Sequence, residues 1–399
     1  MRPLYLDKIG AYVGNRLIKV IVGQRRVGKS FIMRQIASRL VADGVDSRNI
    51  LMVNIDVLGT DFVRNARELT ALFCEYEKRI ARPGRVFLFI DEIQNVDGWE
   101  KFVNSFSQDY TRECEIFITG SNSKMLSSEL ATLLSGRYVT FEVLPLSFNE
   151  WCDFVHLSAD RNSFIQYQST GGLPELLSLS GEESCRNYVS SLRDTILMRD
   201  IVTRYGVADV ELLSDLFAFA VNNVSSMFSA SSLVKYYKGK GRKVGYEKIA
   251  QYIQHLCDAY LLHRVCRYDI RGKETIGGMC KYYPNDPAYH RFLYPHVGFG
   301  VGYVLENLVF LSLRRAGYEV SVGSNAKQEI DFVASRGDRI IYVQSAYMLV
   351  DQTTIEREYG ALEKINDNYE KVVVSLDDLQ LPSRGGIRHV RAWDLNGIL

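Results

Sequence analysis

The run Gly23-Gln24-Arg25-Arg26-Val27-Gly28-Lys29-Ser30 spaces two glycines, a lysine and a hydroxyl in the way needed to hold a chain of phosphates. Glycines at 23 and 28 let the main chain wrap closely, so that successive N–H groups face an anion. The positive end of a helix opening at Phe31-Ile32-Met33-Arg34 would add to that field. Lys29 would reach the outer phosphates of ATP, and Ser30 would hold magnesium. Gly23 through Phe31 is therefore the expected ATP contact, with Arg25 and Arg26 read either as nucleotide contacts or as solvated loop charges.

A nucleotide site that does chemistry needs carboxylates at the same sheet edge. Val86-Phe87-Leu88-Phe89-Ile90 runs straight into Asp91-Glu92, about sixty residues downstream, which places both acids at the end of a buried strand. Asp91 is expected to bind magnesium through water, and Glu92 to orient or deprotonate the attacking water. A further apolar run, Glu115 to Thr119, ends in Thr119-Gly120-Ser121-Asn122. Asn122 or Ser121 would meet the terminal phosphate or the water there, unless the four residues only make a polar turn.

The elements that must position these groups are legible in the hydrophobic spacing. Short apolar runs at Leu17–Val22, Ile50–Ile55, Val86–Ile90, Glu115–Thr119 and Tyr138–Val143 alternate with helix-length stretches, the pattern of parallel strands joined by crossover helices. From about 145 to 285 helical spacing dominates, as in Leu212, Leu213, Leu216, Phe217 and Ala220. After about 300 a helix, three strands, a helix and a strand make a second small α/β unit. A chain of 399 residues accommodates two or three domains.

Bulk composition narrows the setting. Net charge is +1, which excludes a uniformly basic surface. The seven cysteines, 74, 114, 152, 185, 257, 266 and 280, form no CxxC pair and are odd in number, so buried reduced thiols are expected rather than a zinc ribbon or a disulfide framework. Asp7 and Lys8 interrupt any apolar leader, and no apolar run approaches the ~18 residues of a membrane span, so a cytoplasmic protein without membrane contact is expected.

Taken in order, GQRRVGKS, FLFIDEIQNV, ITGSNSKML, LLSGRY, LPLSFNEW and GGLPE resemble the bacterial and archaeal AAA-type ATPases that carry a C-terminal domain of unknown function. The resemblance implies an AAA+-like P-loop core with strand order 5-1-4-3-2, followed by a helical lid. It also implies that Arg137, just before the last core strand, is the arginine that completes a neighbouring copy's site, and hence a possible homo-oligomer. The expected division is an ATPase core over 1–144, a helical lid over 145–205, a winged helix over 206–290 and a restriction-endonuclease-like domain over 291–399.

Residues 211 to 274 read as helix, short helix, helix and basic hairpin. In the third helix, Tyr246 to Tyr260, a stripe of Ile249, Tyr252, Ile253, Leu256 and Tyr260 leaves Lys248, Gln251, Gln254 and His255 outside. Residues 235 to 281 hold eleven Lys or Arg against four Asp or Glu, a local excess of seven positive charges. A winged helix with that charge would set its third helix in a groove of double-stranded DNA. Lys240, Arg242, Lys243, Lys248, Arg271 and Lys273 would then lie on the backbone, although the same fold also serves protein partners.

The closing α/β order is that of restriction-endonuclease-like folds, in which a helix acid, a strand Asp and a Glu/Gln-x-Lys pair bind magnesium and activate water. Glu306, Asp331 and Gln344 occupy those places, and Ala346 stands where the lysine belongs. Lys327 is the nearby candidate for a migrated ammonium. A degenerate, inactive site is expected. The whole reads as an ATP-hydrolysing switch coupled to DNA or protein binding. An ATP-dependent nuclease and a signalling or interaction module without DNA binding are the alternatives.

Overall fold

Five of the apolar runs form parallel strands, β1 (Ile18–Val22), β2 (Ile50–Asn54), β3 (Val86–Asp91), β4 (Cys114–Gly120) and β5 (Tyr138–Glu142), hydrogen-bonded in the order β2-β3-β4-β1-β5. This is the expected 5-1-4-3-2 order seen from the other edge. The central strands β1 and β3 are buried along their whole length, which is why they read as unbroken apolar runs; β2 and β5, at the edges, keep half-exposed positions. Helices α1 (Pro3–Gly10), α2 (Lys29–Ala42), α3 (Ala66–Arg79) and α4 (Trp99–Gln108) belong to the same unit. Phe73 of α3 packs edge-on to Phe106 of α4, and both join the core of Val20, Leu88 and Ile118. Helix α1, opened by a proline in its first turn, escaped the strand-based reading.

The computed structural model describes residues 1–57, 60, 62–123, 134, 136–295, 301–325 and 328–399. It divides into two units: Met1–Val143 with Asp258–Tyr260, and Leu144–Cys257 with Leu261–Leu399. The second contains α5 (Phe148–Val155), α6 (Arg161–Thr170), α7 (Glu182–Thr195), a π-helical stretch over Ile196–Thr203, α8 (Val210–Asn222), α9 (Ala230–Gly239) and α10 (Tyr246–Asp258). A hairpin follows, β6 (Leu262–Asp269) and β7 (Glu274–Pro284), then α11 (Ala288–Leu293), α12 (Val301–Arg315), β8 (Glu319–Asn325), β9 (Gln328–Arg336), β10 (Arg339–Ser345), α13 (Gln352–Glu363), β11 (Glu370–Ser375) and β12 (Arg388–Arg391).

The hairpin differs from its expected place as the wing of a separate domain. All seven strands form one sheet, β12-β11-β10-β9-β8-β6-β7. The physical reason is a register shift between Cys266 and Arg267, beyond which Arg267–Asp269 pair in parallel with Val322–Ser324 of β8. Arg267 Nη2 donates to Ser324 Oγ at 2.9 Å across that seam. Strand β12, short and flanked by arginines, gave no apolar run to read.

The GGLPE segment has a structural task within this unit. Asp286, fully enclosed, accepts hydrogen bonds from the Gly172 and Ala288 N–H groups, both at 2.8 Å. A Cβ on Gly171, at φ +80°, would lie 2.0 Å from the Asp286 Oδ1, and one on Gly172 2.4 Å from the Leu146 carbonyl. Burial pushes the Asp286 carboxyl up to about 7, although those amide donors oppose the shift.

His255, expected on the outside of the third helix, is buried, its ring stacked on Tyr205 with centroids 3.9 Å apart. The cysteines are free thiols; of the seven, Cys152 and Cys280 are buried and Cys74 is exposed, which corrects the expectation that all are buried. Among the described residues no helix is long and apolar enough to cross a membrane.

One buried ion pair fastens the amino ends of β1 and β4. Lys19 Nζ lies 2.6 Å from Glu115 Oε1, both side chains sealed from solvent, and also donates to the Asn15 carbonyl at 2.9 Å. Glu115 further accepts from the Gly14 N–H at 3.0 Å. Burial holds the Lys19 pKa below its ordinary value, against the pull of Glu115. Removing one partner strands a charge, whereas replacing both with apolar groups does not. Glu115→Ala is expected to cost about 3–5 kcal/mol in chemical denaturation, and Lys19→Met/Glu115→Leu to recover most of it.

Candidate functional site: the loop before α2 and the carboxyl edge of the first sheet

The segment between β1 and α2 turns through positive φ at Gly23 (+144°), Arg26 (+68°) and Gly28 (+97°). Gly23 is required by close approach: a Cβ there would stand 2.2 Å from the Val143 carbonyl, just past the end of β5. Gly28 is the N-cap of α2 and supplies no capping side chain, so the first-turn N–H groups of α2 point into the loop without a side-chain acceptor at the cap. Lys29, nearly buried, folds back over this turn and donates to the Gly23 and Gln24 carbonyls, both at 3.0 Å. Gln24 and Val27 are fully enclosed, Arg26 and Phe31 are exposed, and Arg25 Nη1 lies 3.6 Å from Asp56 Oδ2.

The two acids sit where expected, at the end of β3. The Thr119 hydroxyl, from the end of β4, donates to Asp91 Oδ1 at 2.5 Å and accepts from the Glu92 N–H at 2.9 Å. One side chain thus fixes both carboxylate-bearing residues. Asn54, paired with Asp91 in register on β2, donates to Asp91 Oδ2 at 3.2 Å. Glu92 adopts the left-handed conformation at φ +56°, which turns it off the strand; its Oε2 accepts from Gln94, and its Oε1 lies 3.9 Å from Lys29 Nζ. A backbone of that kind at a non-glycine residue is tolerated where the surroundings enforce it, often at a working site.

Ser30 and Asp91 line one cleft of about 320 Å³ with Asn54 and Thr60. A hydroxyl, a carboxylate and an amide oxygen are hard oxygen donors, a set that suits magnesium once phosphate oxygens complete its shell. Ser121 and Asn122 are buried beside these strand ends, and Gln94 Nε2 reaches Ser121 Oγ at 3.4 Å. Arg137 is half-buried ahead of β5, with no carboxylate partner among the described residues. Sequence reasoning read Thr119 only as part of a polar tip, and gave Asn54, Gln94 and Arg2 no part in the site. The last donates from Nη1 to the Val27 carbonyl of the loop at 2.9 Å, a contact between distant positions that no local pattern announces.

The basic residues expected to meet DNA fall into two groups. Arg242 is held at 2.9 Å by both Asp209 and Asp215, and Lys248 lies 3.1 Å from Asp209, so these two charges are matched within the fold. Lys240, Lys243, Arg271 and Lys273 are exposed, as are Lys235 and Lys238, with Lys240 over the Tyr236 ring and Arg271 donating to Asn325 Oδ1. In the end sheet, Glu306 of α12, Asp331 of β9 and Gln344 of β10 converge. The ammonium there is Lys281 of β7, 3.0 Å from Glu306 Oε1 and 2.8 Å from Glu329 Oε1. Lys327 lies outside the described residues.

A glycine-cradled loop between β1 and α2, with two acids at the end of β3 in a 2-3-4-1-5 parallel sheet, defines a P-loop nucleotide-binding fold of the AAA type. A family profile described as "AAA domain" matches residues 15–152, and one described as "Domain of unknown function (DUF8612)" matches residues 161–293. The chain is 34% identical over 381 residues to an uncharacterised protein of Haemophilus influenzae, covering 94% of this chain and 92% of the other. It is 30% identical over 370 residues to one of Methanocaldococcus jannaschii, covering 87% and 78%. The chain belongs to this family of AAA-domain proteins. Among solved structures it is similar to AMPPCP-bound DnaA of Aquifex aeolicus, at 15% identity, 64% and 87% coverage and a TM-score of 0.32, a likeness too distant to speak to function.

Because Gly23 has both a forbidden φ for other residues and no room for a Cβ, Gly23→Ala is expected to destabilise the first unit by about 2–5 kcal/mol. A lowered thermal midpoint by circular dichroism is the readout.

Proposed function

We propose that the first unit binds ATP with magnesium and hydrolyses it. The observation that carries this reading is the meeting of Lys29, Ser30, Asp91 and Glu92 at one sheet edge, with Thr119 bonded to both acids. Lys29 exchanges its two loop carbonyls for phosphate oxygens, and the α2 amides take the remaining negative charge. Ser30 and Asp91 would hold magnesium, which would supply positive charge against the negative charge of the phosphates. Glu92, held by Gln94 and by its own strained backbone, orients the water and takes its proton. Asn122 contributes a hydrogen bond at the tip of β4, and Arg137 of a neighbouring copy completes the site, so the active form is a homo-oligomer.

Titration calorimetry with ATP and magnesium tests the reading directly. Lys29→Ala is expected to abolish the binding heat. Glu92→Gln is expected to retain binding and lose about 10²- to 10⁴-fold in turnover. Arg137→Ala should likewise bind normally while losing about 10³- to 10⁵-fold. Equal loss of affinity in Arg137→Ala would make it a structural arginine.

The nucleotide state is coupled to a partner through the middle of the chain, read as helical lid and winged helix, and the partner favoured by charge is double-stranded DNA. Lys235, Lys238, Lys240 and Lys243 form an exposed run on and just after α9, with few acids beside them. Arg242 and Lys248, matched by Asp209 and Asp215, support the fold instead. Four phosphate contacts would give a slope of roughly −3 to −4 in log affinity against log salt. Replacing the four lysines by alanine is expected to flatten that slope and to remove any DNA-dependent change in ATPase rate. A protein that binds no duplex at low salt would instead be a nucleotide switch docking another protein.

A further inference from the structure

The end sheet carries the acids of a metal-dependent phosphodiesterase, and a divalent metal is what such a constellation implies. One oxygen of each of the two acids that would ligate it is already taken within the fold. Glu306 Oε1 accepts from Lys281 Nζ at 3.0 Å and from the Tyr283 hydroxyl at 2.6 Å, which uses both of its lone pairs. Asp331 Oδ2 accepts from the Ser345 N–H and hydroxyl, both at 2.8 Å. The Gln344 Oε1 is turned to the Asp331 N–H at 3.2 Å. Glu329 closes the cluster on the solvent side, 2.8 Å from the same ammonium.

Lys281 is only 2% exposed and is held between Glu306 and Glu329. Expelling this ammonium for a metal would leave a buried cation without a partner, a cost of several kcal/mol. Keeping both would crowd the metal and the ammonium onto Glu306, whose Oε1 the Lys281 ammonium and the Tyr283 hydroxyl already fill. The residues present do not fit a metal.

We propose that the Lys281 ammonium is the permanent counter-ion of this cluster, standing where a divalent metal would otherwise bind, so that the end sheet serves as a scaffold and does not cut phosphodiesters. The lysine missing at position 346 has been replaced from another strand, in a role that closes the site. This inference is independent of the nucleotide site and survives if the ATP reading fails.

Manganese binding by the full chain without nucleotide, read by electron paramagnetic resonance, tests it. Wild type and Asp331→Asn are expected to take up equal manganese, because no metal depends on Asp331. Lys281→Met, checked for folding by circular dichroism, is expected to gain one ion per chain, and Lys281→Met/Asp331→Asn to lose it again. Should Lys281→Met not fold alone, a rise of its thermal midpoint with manganese would support the same conclusion. Wild-type uptake that falls in Asp331→Asn would overturn the proposal, as would manganese-dependent DNA cleavage lost in that variant. A folded Lys281→Met that gains no ion, or an unfolded one that manganese does not rescue, would overturn it equally.

Discussion

A charge leaves water only when another group in the interior answers it, and this chain is organised around charges that have done so. Lys19 and Glu115 are sealed together beneath the first sheet, and Lys281 is sealed among carboxylates in the second. Asp286 is enclosed with amide donors on both oxygens. Each fixes the relation of segments far apart in sequence: residue 19 to 115, 281 to 306 and 329, 286 to 172. The apolar cores supply the bulk of the burial, but a core tolerates sliding that a buried ion pair does not.

The nucleotide edge is held by hydrogen bonds between strand ends and within its loop. Lys29 donates to two backbone carbonyls of its own loop and lies 3.9 Å from Glu92, and the first turn of α2 has no capping side chain. Thr119 is the part that makes the edge rigid. A single hydroxyl, giving to Asp91 and accepting from the Glu92 backbone, ties the end of β3 to the end of β4, so the two acids cannot drift separately. Preorganisation of that kind matters because an acid misplaced by an ångström loses most of its effect on a transition state.

How much of this was legible in the sequence depended on range. The P-loop, its strand and its helix are contiguous, so spacing alone placed Gly23, Gly28, Lys29 and Ser30, and the apolar run before Asp91 and Glu92 placed those acids at a strand end. The order of the first sheet came from resemblance to a family, since parallel strands carry no local mark of their neighbours. Thr119 was read as part of a polar tip, but its two hydrogen bonds, to Asp91 and from the Glu92 N–H, need strands β3 and β4 side by side. Lys281 was invisible for the same reason: it sits 25 residues before Glu306 in a hairpin whose joining to β8 rests on a bulge at Cys266. His255 was misread because a helix has as many buried faces as it has neighbours, and Tyr205 covers the one that the stripe left open.

The seam between β6 and β8 has a consequence for how the second half of the chain can be handled as a module. The matched segment 161–293 ends inside the order β9-β8-β6-β7, so a fragment cut there would keep the hairpin and lose the strand that covers its edge. Arg267, Tyr268 and Asp269 would then present unpaired amides and carbonyls, an open template for strands of other molecules. Conservation of a sequence block and autonomy of folding have different borders in this protein, and self-association of the isolated piece would reflect the missing neighbour, with no bearing on its natural assembly.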